Sequence, residues 1–274
     1  MSNDNGYPVF QAETTEDFND TEGLFEPASR QQDNLLGPRL TGDEEAAFTA
    51  QGKKRMCMVL HGHNPNPFQV FNPNSKEVAS LSDYVSARAK GWMYWSPNYQ
   101  TQISFRHAAI QVRHDMKGWE HEYDLSQTII IAYSMGGLVA RQLIADGMPF
   151  SQLITICTPH QGILPWIPTP SAGSQSMHPL SIDLATLNNH PTDRAQRNKY
   201  FFFGMTNTIA NTWHHENDAV VGIDSALGYK LGIERTSKMD VRFPGPPKPG
   251  MPHTLPQDAK WAVPALDYAL QFMK

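Results

Sequence analysis

Ser134 is the residue of this 274-residue chain whose surroundings best suit covalent chemistry. It lies in the segment I-I-I-A-Y-S-M-G-G (129–137), between a β-branched apolar run and an amphipathic stretch. The pattern small–x–Ser–x–Gly predicts a sharp turn from strand to helix, in which Ala132 and Gly136 stay small to avoid a mutual clash. Such a turn exposes the serine hydroxyl at the carboxyl end of a sheet. The helix that follows directs free N–H groups at a nearby oxyanion.

A serine hydroxyl is a weak nucleophile at neutral pH, so Ser134 needs help from other residues. It requires a base within hydrogen-bond reach, and that base requires an orienting carboxylate. A tetrahedral oxyanion also requires backbone N–H donors, and the N–H of Met135 would be one of them. The local pattern therefore predicts nucleophilic catalysis, with its base and acid supplied from elsewhere in the chain.

Strand and helix patterns alternate around Ser134. Repeated βα units predict an α/β fold with a mostly parallel central sheet and helices on both faces. The stretch 158–198, rich in Pro, Ser and Asn, interrupts the alternation and predicts a cap or lid-like insertion above the sheet. Strands are predicted at 56–60, 92–95, 128–133, 153–157, 200–203 and 237–243, and helices at 76–90, 101–118, 135–146 and from about Pro264 to Lys274.

Residues 1–50 differ from the rest of the chain in composition. They hold eleven acidic and two basic side chains, a net charge of −9, whereas the whole chain has a net charge of −5. Their few apolar residues show no sustained period, so they cannot bury enough surface to offset the entropy of ordering. We therefore expect a poorly ordered acidic extension at 1–50 and a catalytic domain at 51–274.

The same composition argues against several other classes of protein. No apolar run reaches 18 residues, and the N-terminus has no basic and apolar signal pattern, so a cytoplasmic product is expected, with signal-independent export left open. The lone basic triplet 53–55 does not predict nucleic-acid binding. No dinucleotide, P-loop or H-E-x-x-H motif occurs, so we expect no cofactor and no metal. Two cysteines make no disulfide framework.

Four segments, in order, resemble motifs of the α/β-hydrolase superfamily, particularly bacterial lipases and proteins similar to GPI-inositol deacylases. V-L-H-G-H (59–63) resembles the strand end that carries the oxyanion hole, and A-Y-S-M-G-G (132–137) resembles the nucleophile turn. T-P-H-Q-G (158–162) and N-D-A-V-V (217–221) resemble a strand end and the acid loop. The resemblance covers residues 55–274, and it implies the α/β-hydrolase fold.

The resemblance also implies site residues. Members of this superfamily carry the order Ser, acid, His along the chain. Asp218 then matches the acid, and His253 is the one histidine downstream of it. Asp224 and Asp240 remain alternatives for the acid. The resemblance further suggests the backbone N–H of His63 as the second oxyanion donor.

The activity that the resemblance implies is carboxylic ester hydrolysis, with a small-molecule or lipid ester as substrate and peripheral contact with a lipid interface. A thioesterase, amidase or acyltransferase would use the same residues, and a non-catalytic binding protein is a further alternative. An apolar cluster after Gly162 suits either a wall for an acyl chain or simple packing onto the sheet. Its members are Ile163, Leu164, Trp166 and Ile167.

Overall fold

The central sheet in the computed structural model is mostly parallel, as the βα alternation predicts. The structure describes residues 39–40, 48–50, 52–63, 81–118, 120–207, 216–241, 253 and 259–274. Within these ranges seven strands form one sheet in the order β1-β3-β2-β4-β5-β6-β7, and all neighbours except β1 and β3 pair in parallel. The strands are β1 (Arg39–Leu40), β2 (Met56–Leu60), β3 (Met93–Trp95), β4 (Ile129–Tyr133), β5 (Gln152–Ile156), β6 (Tyr200–Asn207) and β7 (Thr236–Val241).

Helices cover both faces of the sheet, which confirms the predicted layering. Alternate residues of a strand point to opposite faces. Met58 belongs to the core cluster that includes Phe105 and Leu138, whereas Cys57 belongs to the cluster that includes Val85 and Leu266. Every residue of β2 and β4 is buried, as expected of strands covered on both faces. The helices are α1 (Leu81–Arg88), α2 (Phe105–Met116), α3 (Met135–Ala145), α4 (Ala172–Ser176), α5 (Ile182–Asn189), α6 (Pro191–Ala195), α7 (Ile223–Ala226) and α8 (Ala259–Leu270).

The C-terminal helix begins earlier than the sequence predicts. Pro264 was expected in the first turn, but it lies inside α8. Proline removes one helical hydrogen bond and disfavours a helix interior. Here Pro264 is exposed, and the opposite face buries Ala262, Leu266 and Ala269 in the core. The apolar face therefore outweighs the local preference of proline.

The stretch 158–198 contains three short helices that the composition did not predict. Its second half, α5 and α6, packs against α3. Leu184 and Leu187 of α5 belong to the core on that face. Its first half meets the loop before α2, where the N–H of Gly173 donates to the carbonyl of Gln102.

Most of the predicted extension lies outside the described residues, as do 76–80 and 242–243 of two predicted elements. Arg39–Leu40 is an exception within 1–50, since it forms the antiparallel edge strand next to Tyr94 and Trp95. A two-residue strand carries no periodic signal in a sequence. None of the helices in the described ranges has the length and apolarity needed to cross a bilayer.

Candidate active site

The backbone at Ser134 is strained, as the turn pattern predicts. Its φ of 51° and ψ of −126° lie outside the regions that L-residues usually populate. The residue sits between the end of β4 and the first residue of α3, and its N–H donates to the carbonyl of Ile156 on β5. Strain of this kind persists only where the surroundings hold it in place, and it concentrates at functional sites.

A requirement for a small residue at Gly136 comes from the end of β2, in addition to the predicted clash with Ala132. A Cβ at this position would lie 2.5 Å from the carbonyl oxygen of His61 and 2.6 Å from that of Leu60. Ala132 is not among the nearest atoms. The close approach is therefore between α3 and the end of β2, so Gly136 lets the helix that follows Ser134 lie against the segment that carries His61 and His63.

His253 lies between the predicted nucleophile and the predicted acid. Its Nε2 is 2.8 Å from Oγ of Ser134, and its Nδ1 is 2.7 Å from Oδ2 of Asp218. All three side chains are buried, with Ser134 5% exposed and Asp218 fully covered. The structure thus brings Ser134, His253 and Asp218 into one hydrogen-bonded chain, although 119 residues separate the serine from the histidine.

Backbone donors fix the orientation of the Asp218 carboxylate. Its Oδ1 accepts from the N–H groups of Val220 at 3.0 Å and Val221 at 2.7 Å, which leaves Oδ2 for His253. The thiol of Cys157 also contacts this carboxylate, and burial first, then the negative charge of Asp218, raises the pKa of Cys157 well above its usual value. Cys157 is therefore a neutral thiol beside the acid.

The two alternative acids belong to other elements of the fold. Asp224 is exposed on α7, and Asp240 belongs to β7. The carboxylate that bonds to His253 is Asp218. The strand β6 extends past Phe203 to Asn207, so the chain between the strand and the acid is shorter than the sequence predicts.

The two residues proposed to supply oxyanion donors belong to the segments next to Ser134. Met135 is the first residue of α3, where N–H groups have no partner within the helix. His63 follows Gly62, and a Cβ on Gly62 would lie 2.8 Å from Cβ of Ser134. His61 stacks on Tyr99 with centroids 4.1 Å apart, and burial lowers the pKa of His61 to about 4. A neutral, packed His61 thus supports the strand end on which His63 stands.

The predicted apolar cluster divides into buried and exposed members. Ile163 and Leu164 are 4% and 9% exposed and belong to or border the core. The N–H of Leu164 donates to the carbonyl of Val220 in the acid loop. Trp166 is 55% exposed, and Ile167 is half-buried. Packing accounts for the first two residues, whereas Trp166 is free to meet a ligand or an interface.

The sequence did not predict two side-chain contacts, one from the end of β4 and one from α3. The hydroxyl of Tyr133 donates a hydrogen bond to the carbonyl oxygen of His253. In the sequence, only the position of Tyr133 directly before Ser134 points to a role at the site. Arg141, on α3, is fully buried and makes two 2.9 Å bonds to Asp193 on α6. An arginine inside an almost wholly apolar helix signals a buried acid partner, but the sequence does not say which.

His160 of the T-P-H segment belongs to this buried ion pair and not to the site at Ser134. Its ring stacks on Phe202 with centroids 3.6 Å apart, and its nitrogens face Thr155 and Arg141. Burial, reinforced by the charge of Arg141, lowers the pKa of His160 well below its usual value. The histidine is therefore neutral.

No group of three potential metal-ligating side chains comes together within the part of the chain that the structure describes.

Comparison with solved structures identifies the architecture, although no protein-family model and no curated protein matches the sequence. The mature lipase BlEst2 of Bacillus licheniformis superposes with a TM-score of 0.50 at 14% identity, over 82% of this chain and 96% of that one. The lin2722 gene product of Listeria innocua gives a TM-score of 0.50 at 12% identity, over 80% and 94%. Esterase B of Lactobacillus rhamnosis gives 0.46 at 13% identity, over 81% and 76%.

The superposition covers nearly the full length of the first two proteins. A mostly parallel sheet with helices on both faces is the architecture that this chain shares with them. The chain has the α/β-hydrolase fold.

Proposed function

We propose that this protein is a serine hydrolase that cleaves carboxylic esters, with lipid-like esters as its substrates. The observation that carries the proposal is the hydrogen-bonded chain Ser134–His253–Asp218 at a strained strand-to-helix turn. Its distances of 2.8 and 2.7 Å are those expected of a nucleophile, a base and an orienting acid. The fold shared with a lipase agrees with this activity.

In the first half-reaction, Oγ of Ser134 attacks the ester carbonyl while Nε2 of His253 takes its proton. Asp218 holds the imidazole by Nδ1 and stabilises its charged form. The N–H groups of Met135 and His63 stabilise the tetrahedral oxyanion. The C–O bond to the alcohol then breaks, and His253 gives its proton to the leaving oxygen.

In the second half-reaction, water replaces the alcohol. His253 takes a proton from the water, the hydroxide attacks the acyl-serine, and the carboxylic acid leaves as Ser134 regains its proton. Every step uses groups of this chain and water.

The lipid-like substrate class is supported by apolar side chains in the stretch 158–198. Trp166, Leu180 and Ile182 are 55, 85 and 75% exposed. They are three of the six large apolar side chains exposed among the described residues, and a concentration of exposed apolar surface often marks contact with an apolar ligand or a lipid surface. We therefore propose that the protein touches the interface at which its substrate lies.

The test is a panel of butyrate substrates that share one acyl group and differ in the bond: ester, thioester and amide. We expect the ester to have the highest kcat/KM, and Ser134→Ala to remove all hydrolysis without loss of the fold. A preference for the thioester or amide would replace ester cleavage with one of those activities. A folded protein that hydrolyses none of them would favour a binding protein. Rates for longer acyl chains, below and above the concentration at which they form an interface, test the lipid preference.

A further inference from the structure

Tyr133, directly before Ser134, contacts the backbone of the residue that supplies the proposed base. Its hydroxyl donates to the carbonyl oxygen of His253, and the two rings lie 5.5 Å apart between centroids. Tyr133 is 3% exposed, so this bond forms away from bulk water. None of the proton transfers proposed above uses the hydroxyl, so its contribution must be sought in geometry.

His253 is held at its ring and at its backbone by two of the described residues. Asp218 holds the ring through Nδ1, and Tyr133 holds the main chain through the carbonyl oxygen. A histidine side chain has two rotatable bonds. Fixing its backbone and one ring nitrogen therefore leaves the other nitrogen little freedom, which keeps Nε2 near Oγ of Ser134 at 2.8 Å. Catalysis is sensitive to misplacement of reacting groups by about 1 Å.

The end of β4 carries both the nucleophile and this contact to the base. Ser134 and His253 are 119 residues apart in sequence. Through Tyr133, the path from Ser134 to His253 consists only of one peptide unit, one phenol ring and one hydrogen bond. A shift of the β4 end would thus move Oγ and the imidazole together. We propose that Tyr133 is a positioning residue that keeps the imidazole of His253 in line with Ser134, an inference that rests on the proposed function.

Packing against Gly62 also restrains the ring of Tyr133. A Cβ on Gly62 would come within 2.7 Å of the Tyr133 ring. The ring therefore packs closely against the segment that leads to His63, and Gly62 provides the space for it. This close contact limits how far the ring, and the hydroxyl that it carries, can shift.

The test compares Tyr133→Phe with Tyr94→Phe. Tyr94 is a matched control because it is also a buried strand tyrosine, 2% exposed, whose hydroxyl donates to a backbone carbonyl, that of Ala89 at 2.6 Å. Each substitution removes one oxygen atom and keeps the ring. We expect both variants to lower the melting temperature by similar amounts.

The two variants should differ in activity toward p-nitrophenyl butyrate. Tyr133→Phe should lower kcat about ten-fold with KM within about two-fold of wild type, because it affects the reacting geometry and not the binding of substrate. Tyr94→Phe should leave kcat unchanged. An unaltered kcat in Tyr133→Phe, or equal losses in the two variants, would overturn the positioning role.

Amide hydrogen exchange provides a readout that does not depend on activity. Exchange in the peptide containing His253 should be faster in Tyr133→Phe, and that around residues 85–89 faster in Tyr94→Phe. Unchanged exchange at His253 would overturn the proposed contact. If wild-type protein has no hydrolase activity, the proposed function fails and the catalytic role of Tyr133 fails with it, while exchange still decides whether Tyr133 holds His253.

Discussion

The two carboxylate oxygens of Asp218 have different partners. Oδ1 accepts hydrogen bonds from backbone N–H groups, and Oδ2 accepts one from Nδ1 of His253. An asparagine at 218 could keep the backbone bonds through its own oxygen, but it would present an NH₂ group to the imidazole. That group favours the tautomer with a bare Nδ1, which places the proton on Nε2 and removes the base.

We therefore expect Asp218→Asn to fold normally and to lose about 10⁴-fold in kcat on a simple ester. Asp224→Asn is the matched control, because Asp224 is an exposed carboxylate that the sequence offers as an alternative acid. It should retain wild-type kcat. A large loss in Asp224→Asn together with an active Asp218→Asn would reverse the assignment of the acid.

The buried ion pair between Arg141 and Asp193 connects α3, which follows Ser134, to α6. Asp193 also accepts from Tyr200 at 3.0 Å and from Arg197. Asp193→Asn would leave the guanidinium of Arg141 buried without its counter-charge, so we expect a loss of about 3–5 kcal/mol in the free energy of unfolding. Asp183→Asn, which breaks the exposed pair with Arg106, should cost less than about 1 kcal/mol.

The contribution of Asp193 to the free energy of unfolding should decrease in acid. Burial alone would raise the pKa of Asp193, but Arg141 and Arg197 outweigh it and hold the pKa below 3.8, the value of the unfolded chain. A lowered folded pKa stabilises the fold above the unfolded pKa, and that stability is lost as the pH falls through the folded pKa. The difference in the free energy of unfolding between wild type and Asp193→Asn, measured with urea, should therefore be largest at neutral pH and shrink below about pH 3.8. A difference that grows in acid would contradict this account.

Gly136 allows α3 to approach the end of β2. Gly136→Ala would place a methyl group 2.5 Å from the carbonyl oxygen of His61, so backbone must move. We expect a loss of at least about 2 kcal/mol in the free energy of unfolding and a fall in kcat, because the segment carrying His63 is displaced. Gly118→Ala meets no atom within 4 Å and should change stability by less than about 0.5 kcal/mol. Equal melting temperatures for the two variants would refute the close approach.

Several features of the site were predictable because each has a local signature. Ser134 lies in a pattern that requires both a buried strand and a helix, and both are present. The acid was found through a resemblance in the segment 217–221. The sheet was predictable because strands buried on both faces are short continuous apolar runs, as in β2 and β4.

The remaining features depend on contacts between distant residues. Arg141 and Asp193 are 52 positions apart, and nothing near either residue names the other. The start of α8 before Pro264 is decided by the core that its apolar face meets, which a helix-start rule does not contain. The hydroxyl of Tyr133 has a partner 120 residues away. Such pairings follow from the topology of the sheet and not from the local pattern.

Reaction of the protein with a fluorophosphonate, followed by mass spectrometry of its peptides, tests the central claim most directly. Wild-type protein should gain one phosphonyl group per chain, on Oγ of Ser134, and His253→Ala should react at least about 10³-fold more slowly, because the serine then lacks its base. A folded wild-type protein that stays unlabelled, or that carries the adduct on another residue, would contradict the account.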